Sequence, residues 1–260
     1  MFYLNSDGWN HYSISAKKWQ PCHSKYFNED VCRTLRNENG NSAPGSYPAL
    51  PDDALPPFSG SKILCVGRNY RKHAQEMGND VPDRPLWFSK PPSSIIGEGG
   101  SVILPENAGR IDYEGELALV ICRRARRVST AEALSCIGGV TACLDMTARE
   151  LQKSDGQWTR AKGFDTFLPL AGLVAPFSPD WAAGAIETRK NDVIVQQSSL
   201  KAMVFGFAEL IADISACMTL EPGDLILTGT PEGIGPVTHG DRLQVTISGP
   251  ATITLRVNVA

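Results

Sequence analysis

The sequence predicts a β-rich α+β fold. Its short apolar runs of strand type outnumber the segments with helical spacing, and the two kinds do not alternate regularly along the chain. A Rossmann or TIM arrangement would require that regular alternation, so both are disfavoured. At 260 residues the chain is long enough to bury a core, and its 42% hydrophobic and 20% charged residues are typical of a globular protein.

Composition changes near residue 60. Residues 1–60 are polar and punctuated by Asn, Ser, Pro and Gly, with no sustained strand or helix period. Such a segment buries little apolar surface, so we interpret residues 1–60 as an N-terminal extension that is ordered in part at most. We expect the folded domain to occupy residues 61–260.

Short apolar runs bounded by turn residues predict the strands of this domain. In chain order they are Ile63–Val66, Leu86–Phe88, the run that contains Glu114 and Glu116, Val140–Leu144, and the runs LILTG and RLQVTI that follow Pro222-Gly223-Asp224 and His239-Gly240-Asp241. The Gly, Pro and Asp residues at these boundaries are those that turns prefer.

Four helices are expected between the strands. Asn69 is an N-cap residue in front of Tyr70–Met77, and Gly78 closes that helix. The capping box Ser129–Glu132 begins a second helix, which we expect to end at Gly138-Gly139. The other two are Thr147–Gln152 and an amphipathic helix with apolar residues at Phe207, Leu210, Ile211, Ile214 and Met218.

Charge and hydropathy exclude several classes of partner. The net charge of −3 makes nucleic acid and acidic membrane surfaces poor partners. Every apolar stretch falls short of the roughly 20 residues that cross a bilayer. The N-terminal sequence has neither a signal-peptide nor a transit-peptide pattern, so we expect a cytoplasmic protein.

Three acidic residues predict a metal site. Residues i and i+2 of a strand share a face, so Glu114 and Glu116 point the same way, and Asp145 ends a second strand further along. Three oxygen donors suit a hard divalent cation such as Mg²⁺, Mn²⁺ or Ca²⁺ and suit zinc poorly. Taken alone, Glu114 and Glu116 would more often be a solvated strand face.

His73 and Glu76 predict an acid/base pair. They are three residues apart on the first predicted helix and therefore share a face. A carboxylate beside an imidazole fixes its tautomer and raises its basicity, as a general base that activates water requires. The alternative is a solvated helix face. Lys162 follows the Asp145 strand closely enough to neutralise a carboxylate there or to bind a substrate oxyanion, with a structural ion pair as its alternative.

Other charged and glycine-rich segments are less informative. Three further cations are expected by default to face solvent: Arg68, Lys72 and Lys90. The turn Gly229–Gly235 lacks the lysine of a P-loop and the spacing of a dinucleotide-binding loop. Its exposed N–H groups and the hydroxyls of Thr228 and Thr230 could still hold a small carboxylate.

Six segments in sequence order resemble the fumarylacetoacetate hydrolase family, most closely its short acylpyruvase-like members. They are KILCVGRNYRKHAQEM, the F-x-K-P of Phe88 to Pro91, YEGELALVI, GGVTACLDMTARELQ, WTRAKGFDTFLPL and GDLILTGTPEGIGPV. The resemblance runs from about Lys62 to the C-terminus and implies that residues 61–260 form the catalytic domain. It also implies a three-layer β-rich fold with a metal at the mouth of the sheet core, assembled as a homodimer.

The resemblance assigns roles to nine residues. It implies that Glu114, Glu116 and Asp145 bind Mg²⁺ or Mn²⁺. It implies that His73 and Glu76 are the acid/base dyad and that Lys162 assists at the metal. It implies substrate contacts for Arg68, Gln152 and Thr230.

The implied reaction is metal-dependent hydrolysis of a carbon–carbon bond in 2,4-dioxo acids, namely acylpyruvates such as fumarylpyruvate or acetylpyruvate. Oxaloacetate decarboxylation or tautomerisation, and decarboxylation, isomerisation or hydration of 2-oxo dioates in aromatic-compound catabolism, would use the same enolate-stabilising site. A metal-binding module without activity is the non-enzyme alternative. The stretch Ser198–Phe205 departs from the family pattern, which is usually Gly-x-Thr or Asn-Thr before M-x-F.

Overall fold

β-Strands dominate the described part of the molecule, as the sequence predicts. The computed structural model describes residues 2–5, 8–13, 18–21, 56 and 58–260. Its strands are β1 Phe2–Asn5, β2 Gly8–Ser13, β3 Lys18–Pro21, β4 Ile63–Gly67, β5 Leu86–Lys90, β6 Ile95–Ile96, β7 Ser101–Val102, β8 Ile111–Tyr113, β9 Gly115–Ile121, β10 Ile137–Leu144, β11 Thr147–Ala148, β12 Leu168–Pro169, β13 Ala175–Pro176, β14 Ala185–Lys190, β15 Val193–Ser199, β16 Leu225–Leu227, β17 Gly235–Pro236, β18 Arg242–Ser248 and β19 Thr252–Val259.

Helices are short and few within the same described residues. The α-helices are α1 Arg71–Glu76, α2 Thr130–Ala133, α3 Arg149–Ser154, α4 Thr159–Lys162 and α5 Phe207–Cys217. Turns of 3₁₀-helix occupy Pro92–Ser94, Leu134–Cys136, Pro179–Ala183 and Leu200–Ala202. None of these helices is long and apolar enough to span a membrane.

Two large sheets organise the domain. The six-stranded central sheet has the order β13-β10-β9-β16-β4-β5, with only β4 and β16 parallel. The five-stranded sheet has the order β15-β14-β18-β19-β7, and its inward side chains alternate with polar outward ones, as in β18 and β19. Smaller sheets join β11, β8 and β17, and β12 with β6.

The central sheet separates two apolar clusters. Along β9, Leu117, Leu119 and Ile121 belong to the large cluster, whereas Ala118 and Val120 belong to the second, smaller one. All seven residues of β9 are buried. Both faces of the strand are therefore core along most of its length, and the acidic residues lie only at its N-terminal end.

Three helix-boundary predictions were wrong because tertiary contacts override local signals. Thr147 and Ala148, expected to begin a helix, pair with β8 as strand β11, and α3 begins at Arg149. Tyr70 is the N-cap of α1, without a side-chain cap. The Asn69 amide instead donates to the carbonyl oxygens of Phe205 and Thr228, and its Oδ1 accepts from the Phe205 N–H. The capping box at Ser129 is present, but α2 ends at Ala133. The glycines expected to end it lie inside β10, where strand pairing to β9 and β13 decides their conformation.

Part of the N-terminal segment is folded. β1, β2 and β3 form an antiparallel sheet. Leu4 of β1 is buried and belongs to the second apolar cluster, against which Phe58 also packs. Most of the remaining residues before 60 lie outside the described part of the chain, and the domain boundary at residue 60 stays a prediction.

A chain that begins at residue 61 should fold and retain metal binding, although with a lower Tm. Every other buried member of the second cluster lies at residue 63 or beyond, but Leu4 and Phe58 are lost. Thermal unfolding and Mn²⁺ titration of the truncated chain test this, with full-length Leu4→Ala measuring the cost of that one contact. An insoluble truncated chain would place the domain boundary upstream of residue 60.

Candidate active site

The segment Glu114-Gly-Glu116 begins where two strands of different sheets meet. β8 ends at Tyr113 and β9 begins at Gly115. A Cβ on Gly115 would lie 2.0 Å from the Thr188 hydroxyl oxygen of β14, so the backbone approaches the five-stranded sheet too closely for any residue but glycine. Glu114 and Glu116, on either side of this glycine, both line one cavity of about 260 Å³.

Asp145 completes a cluster of three buried carboxylates. It follows β10, and its backbone N–H donates to the Glu114 carbonyl oxygen at 2.9 Å, which aligns the two chain segments. Glu114, Glu116 and Asp145 are 4%, 2% and 1% exposed, and one carboxylate oxygen of each lies within 4.8 Å of the others. Converging carboxylate oxygens are the ligands of hard divalent cations, so these residues fit such an ion and could hold one.

Two buried lysines clamp Asp145. Lys162 Nζ donates to Asp145 Oδ2 at 2.6 Å and to Glu114 Oε2 at 2.8 Å. Lys90 Nζ donates to Asp145 Oδ1 at 2.7 Å and also to the Lys162 carbonyl oxygen. The default expectation that Lys90 faces solvent was wrong, because β5 directs it under the acidic cluster. Lys162 lies beside the carboxylate of Asp145, as the sequence predicted.

Arg149, at the start of α3, links the cluster to a predicted substrate contact. Its guanidinium donates to Glu114, to Asp112 at 2.7 Å and to Gln152 Oε1 at 2.8 Å. Because a guanidinium only donates, the Gln152 oxygen faces Arg149 and its NH₂ group is left to donate elsewhere. Gln152 lines the cavity.

The buried charges shift the ionisation of the two glutamates in opposite directions. Burial opposes ionisation of Glu114, but the charges of Lys162 and Arg149 outweigh it and hold the pKa of this carboxyl well below its usual range. Burial, together with the charges of Asp145 and Glu114, raises the pKa of Glu116 well above its usual value. A divalent cation among the three carboxylates would favour the charged form of Glu116.

A turn after β16 holds Glu116 in place. The Gly229 N–H donates to Glu116 Oε2 at 2.7 Å. Gly229 has a φ of +95°, and a Cβ there would lie 2.8 Å from Cβ of Asn69, so both conformation and space require glycine. The neighbouring Thr228 hydroxyl donates to the Leu117 carbonyl oxygen at 2.9 Å and is fully buried, so the expectation that it could hold a ligand carboxylate was wrong.

His73 and Glu76 lie in contact on α1, with 3.4 Å between His73 Nδ1 and Glu76 Oε2. Glu76 also accepts the Gly233 N–H at 3.1 Å, which docks α1 onto the glycine-rich turn. A neutral ring with its proton on Nδ1 would donate to the Glu76 carboxylate, which can only accept, and would leave the Nε2 lone pair free. His73 lines the cavity that the carboxylates line.

The cavity collects eight of the nine residues singled out from the sequence, and Glu76 stands behind His73. The eight are Arg68, His73, Glu114, Glu116, Asp145, Gln152, Lys162 and Thr230. Arg68 has a φ of +58°, a conformation that is rare outside glycine and frequent at functional sites. The rings of Phe88 and Trp158, which meet edge to face with their centroids 5.2 Å apart, form an apolar wall of the cavity.

Sequence reasoning missed Lys90 and Arg149 as parts of the site. Both lie in segments that carry the family resemblance, F-x-K-P and T-A-R-E-L, and that was their only signal. A lysine or arginine beside a strand or helix end is most often a surface charge. Their burial depends on residues far away in the sequence.

Comparison with known proteins assigns the family. A family model described as Fumarylacetoacetate (FAA) hydrolase C-terminal matches residues 62–258. The chain belongs to this family. Its curated relatives include the oxaloacetate tautomerase FAHD1, mitochondrial, of Arabidopsis thaliana, which is 44% identical over 209 residues that cover 76% of this chain and 91% of the relative.

Solved structures agree with this fumarylacetoacetate hydrolase assignment. A 2-hydroxyhepta-2,4-diene-1,7-dioate isomerase from Mycobacterium marinum is 41% identical with a TM-score of 0.73, covering 80% of this chain and 77% of that one. Fumarylpyruvate hydrolase from Pseudomonas aeruginosa, in complex with Mn²⁺ and pyruvate, is 31% identical with a TM-score of 0.74. The match covers 81% of this chain and 92% of that one. The resemblance and the fold class predicted from the sequence are confirmed.

Asp145→Asn should weaken Mn²⁺ binding by more than the roughly 10–100-fold that loss of an outer-shell partner costs, because it removes a proposed ligand. Isothermal titration calorimetry measures the change. Asp213→Asn is the matched control, since Asp213 pairs with the exposed Arg84 and does not line the cavity. Unchanged affinity in a folded Asp145→Asn protein would remove Asp145 from the ligand set.

Lys90→Met should destabilise the protein by about 3–5 kcal/mol, because it leaves a buried carboxylate with one fewer cation. The Lys90 side chain is 0% exposed. Lys72→Met is the control: its side chain is 77% exposed, so the expected change is within about 0.5 kcal/mol. Urea unfolding in the presence of a chelator measures the free energy of unfolding of both variants. An equal loss of stability in the two variants would contradict a buried role for Lys90.

Proposed function

We propose that this protein is a divalent-metal-dependent hydrolase that cleaves a carbon–carbon bond in 2,4-dioxo acids, giving pyruvate and a carboxylic acid. The observation that carries the proposal is that His73 and the three carboxylates line the same cavity. A metal-binding module would need only the carboxylates. Fumarylpyruvate and acetylpyruvate are the substrates of this class that we favour.

We assign Glu114, Glu116 and Asp145 as ligands of Mg²⁺ or Mn²⁺. Support comes from their convergence within 4.8 Å and from the structural neighbour in complex with Mn²⁺ and pyruvate. A bound divalent ion supplies Lewis-acid polarisation of the 2-oxo acid oxygens. The protein's own residues supply the remaining chemistry.

His73 acts as the general base. Its free Nε2 takes a proton from a water molecule while Glu76 holds the ring through Nδ1. The water oxygen adds to C4 of the dioxo acid, and the C3–C4 bond breaks, with its electron pair leaving on C3 as the enolate of pyruvate. His73 then returns the proton to C3, which releases pyruvate and the carboxylic acid.

Other cavity residues bind the substrate and its developing charge. The Lys162 ammonium, held by Glu114 and Asp145, provides a fixed positive charge for the enolate oxygen. The Arg68 guanidinium and the Gln152 NH₂ group are donors for substrate oxygens. The Thr230 hydroxyl borders the same space.

Oxaloacetate tautomerisation is the second candidate, favoured by the name of the relative that is 44% identical. Tautomerisation, decarboxylation and hydrolysis all pass through an enolate, so the same cavity suits each. The isomerase from Mycobacterium marinum similarly favours 2-oxo dioates of aromatic-compound catabolism. On the family resemblance we further propose a cytoplasmic homodimer.

Turnover of acetylpyruvate, followed by loss of its enol absorbance, tests the proposal. We expect activity with Mg²⁺ or Mn²⁺ and its loss in excess chelator, with oxaloacetate assayed in parallel. Activity on oxaloacetate alone would replace the hydrolase assignment with the second candidate. Inactivity on every oxo acid despite metal binding would favour the metal-binding module.

His73→Ala should slow acylpyruvate hydrolysis by roughly 10²–10⁴-fold, the usual contribution of a positioned general base. Mn²⁺ and oxalate affinity should remain nearly intact, because His73 is not a proposed ligand. The double variant with Glu76→Gln should be scarcely slower than His73→Ala, since the pair acts as a unit. His239→Ala, at an exposed histidine, is the control.

Oxaloacetate decarboxylation needs no attacking water, so it should lose less activity than hydrolysis in His73→Ala. Equal losses in the two reactions would assign His73 to substrate positioning. Hydrolysis at the unaltered rate would remove the dyad from the mechanism.

A further inference from the structure

Gln196 links the five-stranded sheet to the acidic segment. It lies on β15, and its side chain is directed inward and is 2% exposed. Its neighbour Gln197 is exposed, because successive residues of a strand point to opposite faces. The inward amide reaches Gly115, the residue between Glu114 and Glu116.

The hydrogen bonds of Gln196 fix the orientation of its amide. The Gly115 N–H donates to Gln196 Oε1 at 3.0 Å, and Gln196 Nε2 donates to the Pro231 carbonyl oxygen at 2.9 Å. An N–H can only donate and a carbonyl can only accept, so oxygen and nitrogen cannot be exchanged. Gln196 Nε2 therefore also donates to the Thr230 hydroxyl, 2.8 Å away.

The Thr230 hydroxyl is oriented in turn. It accepts from Gln196, so its single proton goes to the Gly115 carbonyl oxygen at 2.9 Å. The Thr230 hydroxyl thus offers the cavity a lone pair and no proton. The expectation that this hydroxyl donates to a ligand carboxylate is therefore replaced by an acceptor role.

Both polar groups of Gly115 are consequently held by side chains of one network. Gln196 accepts its N–H, and Thr230, oriented by Gln196, donates to its carbonyl oxygen. Glu114 and Glu116 are attached on either side of this residue, so its orientation sets the separation of their carboxylates. A clamp of this kind outside a ligand set typically tunes metal affinity.

We propose that Gln196 is a positioning residue that sets the spacing of Glu114 and Glu116 for a divalent cation and fixes Thr230 as an acceptor. This rests on the proposed function only in taking those glutamates as ligands. Gln196 itself touches neither the cation nor the substrate. Its effect passes through Gly115 and Thr230.

Gln196→Met tests the proposal, because methionine has a similar length and cannot make the three hydrogen bonds. Calorimetric titration with Mn²⁺ alone should show affinity weakened by roughly 10–100-fold. Gln197→Met, on the outward face of the same strand, should bind as the unaltered protein does. Gln196→Asn provides a second variant, because the shorter asparagine side chain cannot reach Gly115 and the Thr230–Pro231 turn together. It should also weaken Mn²⁺ affinity.

The outcomes separate this proposal from the proposed function. A folded Gln196→Met or Gln196→Asn protein with unchanged Mn²⁺ affinity and only a lower Tm would make Gln196 merely structural and overturn the proposal. Weakened Mn²⁺ affinity in the variants supports the role of Gln196 even if the unaltered protein hydrolyses no acylpyruvate. Absence of hydrolysis would contradict only the hydrolase assignment. An unaltered protein that binds no Mn²⁺ would refute both.

Discussion

Compensation of buried charge at the end of the central sheet constrains much of the structure. The groups concerned are the carboxylates of Asp112, Glu114, Glu116 and Asp145 and the cations Lys90, Arg149 and Lys162, all nearly inaccessible to solvent. An unpaired charge in such surroundings would cost several kcal/mol. Asp112, Glu114 and Asp145 therefore each pair with a cation, whereas Glu116, whose pKa is raised by burial, accepts the Gly229 N–H. Hydrogen bonds between these carboxylates and cations therefore fix the relative positions of the ends of β5, β9 and β10 and of the short helices α3 and α4.

The sheet supplies the rigid frame for this charge. β9 is apolar on both faces along most of its length and becomes acidic only at its N-terminal end, where it meets β8 and leaves the apolar clusters. Glycines permit the close approaches there: Gly115 against β14, and Gly229 against Asn69. A site built on strand ends and tight turns holds its groups more firmly than one on a long loop.

The geometry of this cavity is compatible with the range of reactions that the names of the chain's relatives give. These relatives include proteins named as a hydrolase, an isomerase and a tautomerase. Converging carboxylates with fixed cations suit any reaction that develops negative charge on a 2-oxo acid. Hydrolysis additionally requires activation of a water molecule. His73 lines the cavity and contacts Glu76, so this pair is in a position to meet that requirement.

Local periodicity was sufficient to predict the features whose partners are near in sequence: Glu114 and Glu116 directed into one cavity, His73 in contact with Glu76 on one helix turn, and the β-rich fold class. It failed where the partner is distant. Asn69 has the sequence signal of a helix cap, yet its amide bonds to Phe205 and Thr228. Lys90 and Lys72 are alike as sequence signals, but only Lys90 is buried, against Asp145. Tertiary structure decided these cases because burial and charge pairing are set by segments that meet only after the sheets assemble.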